Sequence, residues 1–266
     1  MNIRRAYAIA FRQFYLIRGH PTRFWQMFVW ITVDVIIWGY ITKYLTTVVP
    51  PSFGVLTFFL GAVVLWGFLL RVMQGMTTSF LEDVWSKNFL NLFASPLKIS
   101  EYIVGLVLTS ILTSILVLSG VIALASLVFG FSLFTLGVYL APFLLILFLF
   151  GIALGIFGVA IVLRIGPSAE WFVWPIPAVL NPFVGVFYPV STLPDWMRVV
   201  SKALPPSYVF EGMRTALLSG TFSSLALVEG VVLAVLYIVL AYAFFVYVYR
   251  TVVRNGLIAR FEAEGP

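Results

Sequence analysis

The sequence predicts an all-α membrane protein. It should have six transmembrane helices, an N-terminal interfacial helix, and an extracellular re-entrant helical hairpin between helices 5 and 6. Three observations carry that expectation. Of the 266 residues, 62% are hydrophobic and only 10% charged, and the mean hydropathy is +1.08; soluble domains do not reach such values. The apolar runs are continuous rather than alternating, which indicates helices and not a β-barrel. One stretch, Phe187 to Arg214, interrupts the apolar pattern with charges and prolines. The chain, 1–266, reads as a single transmembrane domain.

Residues 1–23 form the interfacial segment. Ile3, Tyr7, Phe11 and Phe14 share one helical face, with Arg4, Arg5 and Arg12 elsewhere around the axis. That pattern suits a helix on the cytoplasmic membrane surface. Gly19-His20-Pro21 then breaks the chain. His20 is the only histidine and cannot build a metal site alone; it reads as a polar turn residue.

Six spans follow, near Phe24–Leu45, Phe53–Met76, Tyr102–Phe129, Phe134–Leu163, Trp171–Pro189 and Ser224–Tyr249. Each approaches or exceeds the roughly 20 residues that cross the hydrocarbon core. Gly151, Gly155 and Gly158 lie at i, i+4, i+7 in the fourth span, so a neighbouring helix can come close. Gly105, Thr109, Ser110, Thr113 and Ser114 offer the same in the third. The fifth differs. Pro175, Pro177, Pro182 and Pro189 forbid a regular helix there, and broken backbone at membrane depth must be buried in protein or line a cavity.

Threading the spans alternately puts twelve of the sixteen Lys and Arg on the side of the N-terminus and four on the other. By the positive-inside bias, both termini are cytoplasmic in a multi-pass protein of the plasma or inner membrane. The net charge of +6 is therefore an orientation signal, and no nucleic-acid partner is expected. Without cysteine there is no thiol chemistry.

Residues 190–220 form the outer hairpin. Trp196, Val199, Val200 and Ala203 fall at i, i+3, i+4, i+7, opposite Asp195, Arg198, Ser201 and Lys202, a short amphipathic helix. A second piece runs from Ser207 to near Leu218, with Glu211 and Arg214 spaced to pair and Gly220 as its stop. Two such helices between apolar spans indicate a hairpin lying in the membrane surface or dipping into it; an ordinary surface loop is the blander reading.

The cytoplasmic segment 77–101 is the other amphipathic stretch. Trp85, Phe89, Leu92 and Phe93 recur at i, i+4, i+7, i+8, a face that fits a groove on another protein or lies on the membrane with no partner. Three ionisable residues lie within spans: Asp34, Arg71 and Glu229. Charges in hydrocarbon face protein or water. Asp34 and Arg71 differ little enough in depth for a structural ion pair, or else they serve a translocation path. Trp30, Asp34 and Trp38 form a stripe at i, i+4, i+8: a stacking surface for a sugar or flat amphipathic substrate, or a dimer contact. No phosphate-cradling Gly-x-x-x-x-Gly-Lys-Ser/Thr loop occurs, nor any catalytic constellation, so no enzyme activity is expected of the chain alone.

Phe187-x-Pro189-x-x-x-x-Pro194, followed by Pro205-x-x-Tyr208-x-x-Glu211-x-x-Arg214, resembles the signature of the type-2 ABC export permeases. These are the membrane halves of ATP-driven exporters of polysaccharides, drugs and lipids. Segment 77–101 is similar to that family's coupling segment, in which Glu82 would open a short helix and Ser95-Pro96 close it. Where the family commonly has Arg-Glu followed by Gly-Thr, this chain has Leu81-Glu82 and Val84-Trp85-Ser86.

The resemblance implies an ABC transporter permease moving a polysaccharide, lipid or amphipathic drug-like substrate outward through a dimer interface. Two copies of a separate ABC ATPase would power it, binding ATP and Mg, with no cofactor on this chain; a second permease subunit, as a homodimer, and membrane lipid are the other partners. Glu82, Trp85, Phe89, Leu92, Ser95 and Pro96 are the implied coupling residues. Pro189, Pro194, Pro205, Tyr208, Glu211 and Arg214 are the hairpin residues, and Trp30, Asp34, Trp38 and Arg71 the candidate path. The rivals are a channel or ion-coupled secondary transporter using Asp34, Arg71 and Glu229 directly, and a non-transporting scaffold.

Overall fold

In hydrocarbon a chain satisfies its backbone within itself, so long apolar sequence goes to long helices. The computed structural model describes residues 2–19, 21–48, 55–86, 88, 91–92, 95–220 and 223–255. Its helices are α1 (Ile3–Gly19), α2 (Pro21–Val48), α3 (Val55–Trp85), α4 (Ile99–Phe129), α5 (Leu140–Ile165), α6 (Glu170–Val173), α7 (Ile176–Val184), α8 (Asp195–Ala203), α9 (Pro205–Ser219) and α10 (Ser224–Arg254). A 3-10 turn, Leu133–Tyr139, leads into α5.

Among the described residues, five helices are long and apolar enough to cross a membrane: α2, α3, α4, α5 with its leading turn, and α10. The fifth expected span, Trp171–Pro189, is not a comparable helix. It is split into α6, of 4 residues, and α7, of 9, because Pro175 and Pro177 each lack the N–H that would continue the ladder. His20 and Phe53 lie outside the described residues.

α3 and α5 form the centre; α10 packs along α5, while α2 and α4 flank α3. The glycine stripe of α5 makes this possible, as its spacing predicts. A Cβ on Gly151 would sit 2.8 Å from the Val72 Cβ, and one on Gly155 2.9 Å from the Met76 sulfur. The polar residues of α4 serve the same packing. Ser110 donates to the Val72 carbonyl at 2.6 Å, and Thr109 is bonded within its own helix to Gly105 at 3.0 Å. No hydroxyl is stranded there.

The two ends of the bundle are built differently. At one, α1 lies across α4, beside the last turns of α3. At the other, α9 packs on α10, α5 and the first turns of α3; a Cβ on Gly61 would meet the Met213 sulfur at 3.3 Å.

Candidate functional site: a buried latch, an exposed stripe and a hairpin clamp

α1 rests on α4 through Ala6, Ile9, Ala10 and Gln13. Gly105 admits it: a Cβ there would lie 2.6 Å from the Ile9 Cβ and 3.0 Å from the Ala6 carbonyl. The aromatic face of Ile3, Tyr7, Phe11 and Phe14 consequently turns away from the bundle, as an interfacial helix requires.

The close approach brings Arg12 and Gln13 onto Asp83 of α3, whose side chain is fully buried. Arg12 forms an ion pair with Asp83 Oδ1, and the Tyr102 hydroxyl donates to Oδ2 at 2.7 Å. Gln13 Nε2 lies 3.4 Å from Oδ1 and donates to the Ser79 carbonyl at 3.3 Å. A second buried carboxylate, Glu101, accepts the backbone N–H groups of Asn2 at 2.6 Å and Lys98 at 3.1 Å. Arg5 lies 3.5 Å from it and also donates to the Pro96 carbonyl. Burying a lone carboxylate costs several kcal/mol, and here both are paired and hydrogen-bonded. The latch therefore ties α1 to three places at once: the end of α3, the start of α4, and Pro96 between them.

Of the expected coupling residues, Leu92, Ser95 and Pro96 lie against Arg5 and Ile9 of the latch helix. α3 does not stop for a separate helix opened by Glu82; it runs unbroken to Trp85, because Phe80, Leu81 and Val84 continue its buried face. Trp85 is exposed, Leu92 packs partly buried against the core, and Ser95 and Pro96 are exposed. Phe89 lies outside the described residues. Asp83 was not singled out by sequence, although a signal existed. Met76, Phe80 and Asp83 fall at i, i+4, i+7 on one buried stripe, whereas Glu82 sits off it.

On α2 the seam against α3 is Ile31 and Val35; Ile31 fills the space above Gly67, where a Cβ would lie 2.3 Å from its Cδ1. Trp30 (74% exposed) and Asp34 lie on the open side of α2. Four-residue steps drift around a 3.6-residue helix, and two of them carry Trp38 to the neighbouring elements. It stacks on Phe187 at 4.3 Å and on Phe59 at 5.9 Å. The anticipated ion pair between Asp34 and Arg71 does not form, since Asp34 points away from the seam with α3. Arg71 Nε is buried without a hydrogen-bond partner.

At the hairpin end, Glu211 and Arg214 pair as their spacing predicts, at 2.7 Å. The same Glu211 oxygen accepts the Val190 N–H at 2.6 Å, and Arg214 donates to the Gly185 carbonyl at 3.1 Å. The guanidinium lies 4.9 Å over the Phe58 ring. Burial lowers the Arg214 pKa and Glu211 raises it again. Gly185 ends α7 with φ +71, and a Cβ there would come within 2.9 Å of the Tyr188 carbonyl; the turn needs glycine. The clamp thus fixes α9 to the end of the broken segment. Pro189 and Pro194 hold extended backbone before α8, and Pro205 occupies the first turn of α9. The Tyr208 hydroxyl joins the two hairpin helices by donating to the Lys202 carbonyl at 2.9 Å. The apolar side of α8 is open, with Trp196 64% and Val199 70% exposed.

Long apolar helices, an amphipathic helix latched across one end and a proline-cut helical pair at the other define a multi-pass membrane protein. The family model for ABC-2 type transporters matches residues 6–218, from α1 to the end of α9. The chain belongs to that family and is an ABC-type permease subunit. Among curated proteins no significant relative is found.

Proposed function

We propose that the chain is the membrane subunit of an ATP-driven exporter. It works as a homodimer on two copies of a separate ATPase, which bind ATP and Mg, and it moves a polysaccharide, lipid or amphipathic drug-like molecule outward. The α1 end faces the cytoplasm, in keeping with the bias of Lys and Arg. α6 and α7 make the fifth of six crossings, and α8 and α9 form the re-entrant hairpin on the outer side. The open apolar side of α8 supports its lying in the membrane surface.

The observation that carries this reading is the latch. α3 is a 31-residue helix that runs through the centre of the bundle and carries its locked carboxylate in its last turns. Motion imposed on the segment after Trp85 enters the core along a rod instead of dissipating in a loop. The open stripe of α2, with Trp30 and Asp34, supports a dimer interface that also borders the path. Lipid does not tolerate a carboxylate on an outward face, so a second subunit or water must cover it.

Co-purification with the ATPase and substrate-stimulated hydrolysis test the proposal. Trp85→Asp or Phe89→Asp should leave the bundle folded while lowering ATPase association or uncoupling hydrolysis from transport. Wild-type coupling in both variants removes the docking role. Cysteines placed at Ser191 should react with impermeant reagents from outside intact cells, and those at Ser86 should not; labelling of Ser86 from outside would reverse the orientation.

A further inference from the structure

A cavity of about 450 Å³ opens between the hairpin and the second turn of α10, within the size range of small-ligand sites. Ser201 and Ser207 line it, both buried, with Ser201 Oγ donating to Ser207 Oγ at 3.1 Å. Val190, Lys202, Tyr208, Glu211 and Glu229 complete its lining. Most of these groups are already engaged. One Glu211 oxygen holds Val190 and Arg214, and the Tyr208 proton goes to the Lys202 carbonyl. The Lys202 ammonium and the Glu229 carboxylate remain. They carry opposite charges on one cavity, and no ion pair joins them among the described residues. Burial, and then the Glu229 charge, push the Tyr208 hydroxyl pKa upward, so this carboxylate acts on the tyrosine oxygen.

Opposite, unpaired charges facing one cavity suit a ligand that is itself a zwitterion. The site lies at the first turns of a helix long and apolar enough to cross the membrane, which is the depth of lipid headgroups. We infer that the cavity binds the headgroup of a phospholipid with a primary ammonium, phosphatidylethanolamine. The ammonium donates to Glu229 and to the Tyr208 oxygen, and the phosphate pairs with Lys202. A quaternary ammonium has no N–H to donate, and an anionic headgroup leaves Glu229 unanswered. The leaflet follows from the orientation proposed above; the cavity chemistry does not depend on it.

The test uses the full chain, purified in detergent and delipidated, with binding read by native mass spectrometry and thermal stability. Phosphatidylethanolamine should be retained about tenfold better than phosphatidylcholine or phosphatidylglycerol of the same chains, the weight of one charge-assisted hydrogen bond. Glu229→Gln should abolish that preference and Lys202→Gln should weaken retention of all three lipids, both at exposed positions and neither altering the melting temperature of the lipid-free protein. Equal retention of the three lipids by the wild type, an unchanged preference in Glu229→Gln, or undiminished retention in Lys202→Gln overturns the inference. Soluble glycerophosphoethanolamine at equal concentration should not displace the lipid. If it does, the cavity serves a free zwitterion and the lipid assignment fails. None of these readouts requires transport or ATPase, so the exporter reading can fail independently.

Discussion

Both ends of the bundle are fastened by an arginine and a carboxylate, but the two fastenings differ in kind. Arg12 reaches Asp83 across 71 positions of sequence, and the carboxylate it meets is sealed from solvent. Arg214 reaches Glu211 across three positions on one helix, and the Glu211 side chain remains 36% exposed. The first pair joins separate elements and holds only while they are docked. The second stiffens a helix that would form anyway, and joins other elements through the Val190 N–H and the Gly185 carbonyl. A long-range buried pair suits a joint that transmits motion. A local, half-exposed pair suits a fixed corner.

The sharpest way to break this contrast is at Asp83. Asp83→Ala takes the carboxylate away from Arg12 and the Tyr102 hydroxyl, and losing one partner of a buried pair costs about 3–5 kcal/mol. We expect a large fall in thermal stability and loss of coupled transport. Asp83→Ala combined with Arg12→Met should recover part of the stability but none of the coupling, because the orphaned charge is gone while the joint stays broken. A double mutant that couples normally would make the latch merely structural.

The clamp should fail more gently. Glu211→Gln keeps an acceptor for the Val190 N–H but removes the charge beside Arg214, at an expected cost of about 1–3 kcal/mol. Thermal melts of this variant and of Asp83→Ala rank the two fastenings directly; an equal or larger loss at Glu211 would invert the comparison.

The same contrast explains what was legible in the sequence. The Glu211–Arg214 pair, the two hairpin helices and the α5 glycine stripe all depend on spacings within one helix, and periodicity reveals such spacings. The latch depends on which helix lies beside which. In the sequence Arg12 reads as one more orientation charge, and Asp83 as a neighbour of Glu82 with no signal toward Arg12. The Asp34–Arg71 pair, one of two readings of those charges, does not form for the same reason: comparable depth says nothing about which way each side chain points around its axis. The broken form of the fifth span was legible too, since the prolines that forbid a regular helix there are the ones that split α6 from α7.

The smallest expected effect on stability comes from the stripe of α2, and there the structure separates two tryptophans that the sequence treated alike. Trp38 stacks on Phe187 and Phe59, which also stack on each other, and so braces α2 against the segment that enters the hairpin. Within lipid the area term largely cancels, because hydrocarbon replaces protein as the surrounding. What Trp38→Ala loses is the stack itself, about 0.5–1.5 kcal/mol, with a corresponding small drop in melting temperature. Trp30 touches no such partner; it is exposed beside Asp34. Trp30→Ala should therefore melt with the wild type as a monomer. Its effect should appear only where a second subunit or a substrate covers that face, as weaker dimerisation or reduced transport with the bundle intact. If Trp30→Ala dimerises and transports at the wild-type rate, α2 is neither interface nor path, and Asp34 needs another occupant for its side of the helix.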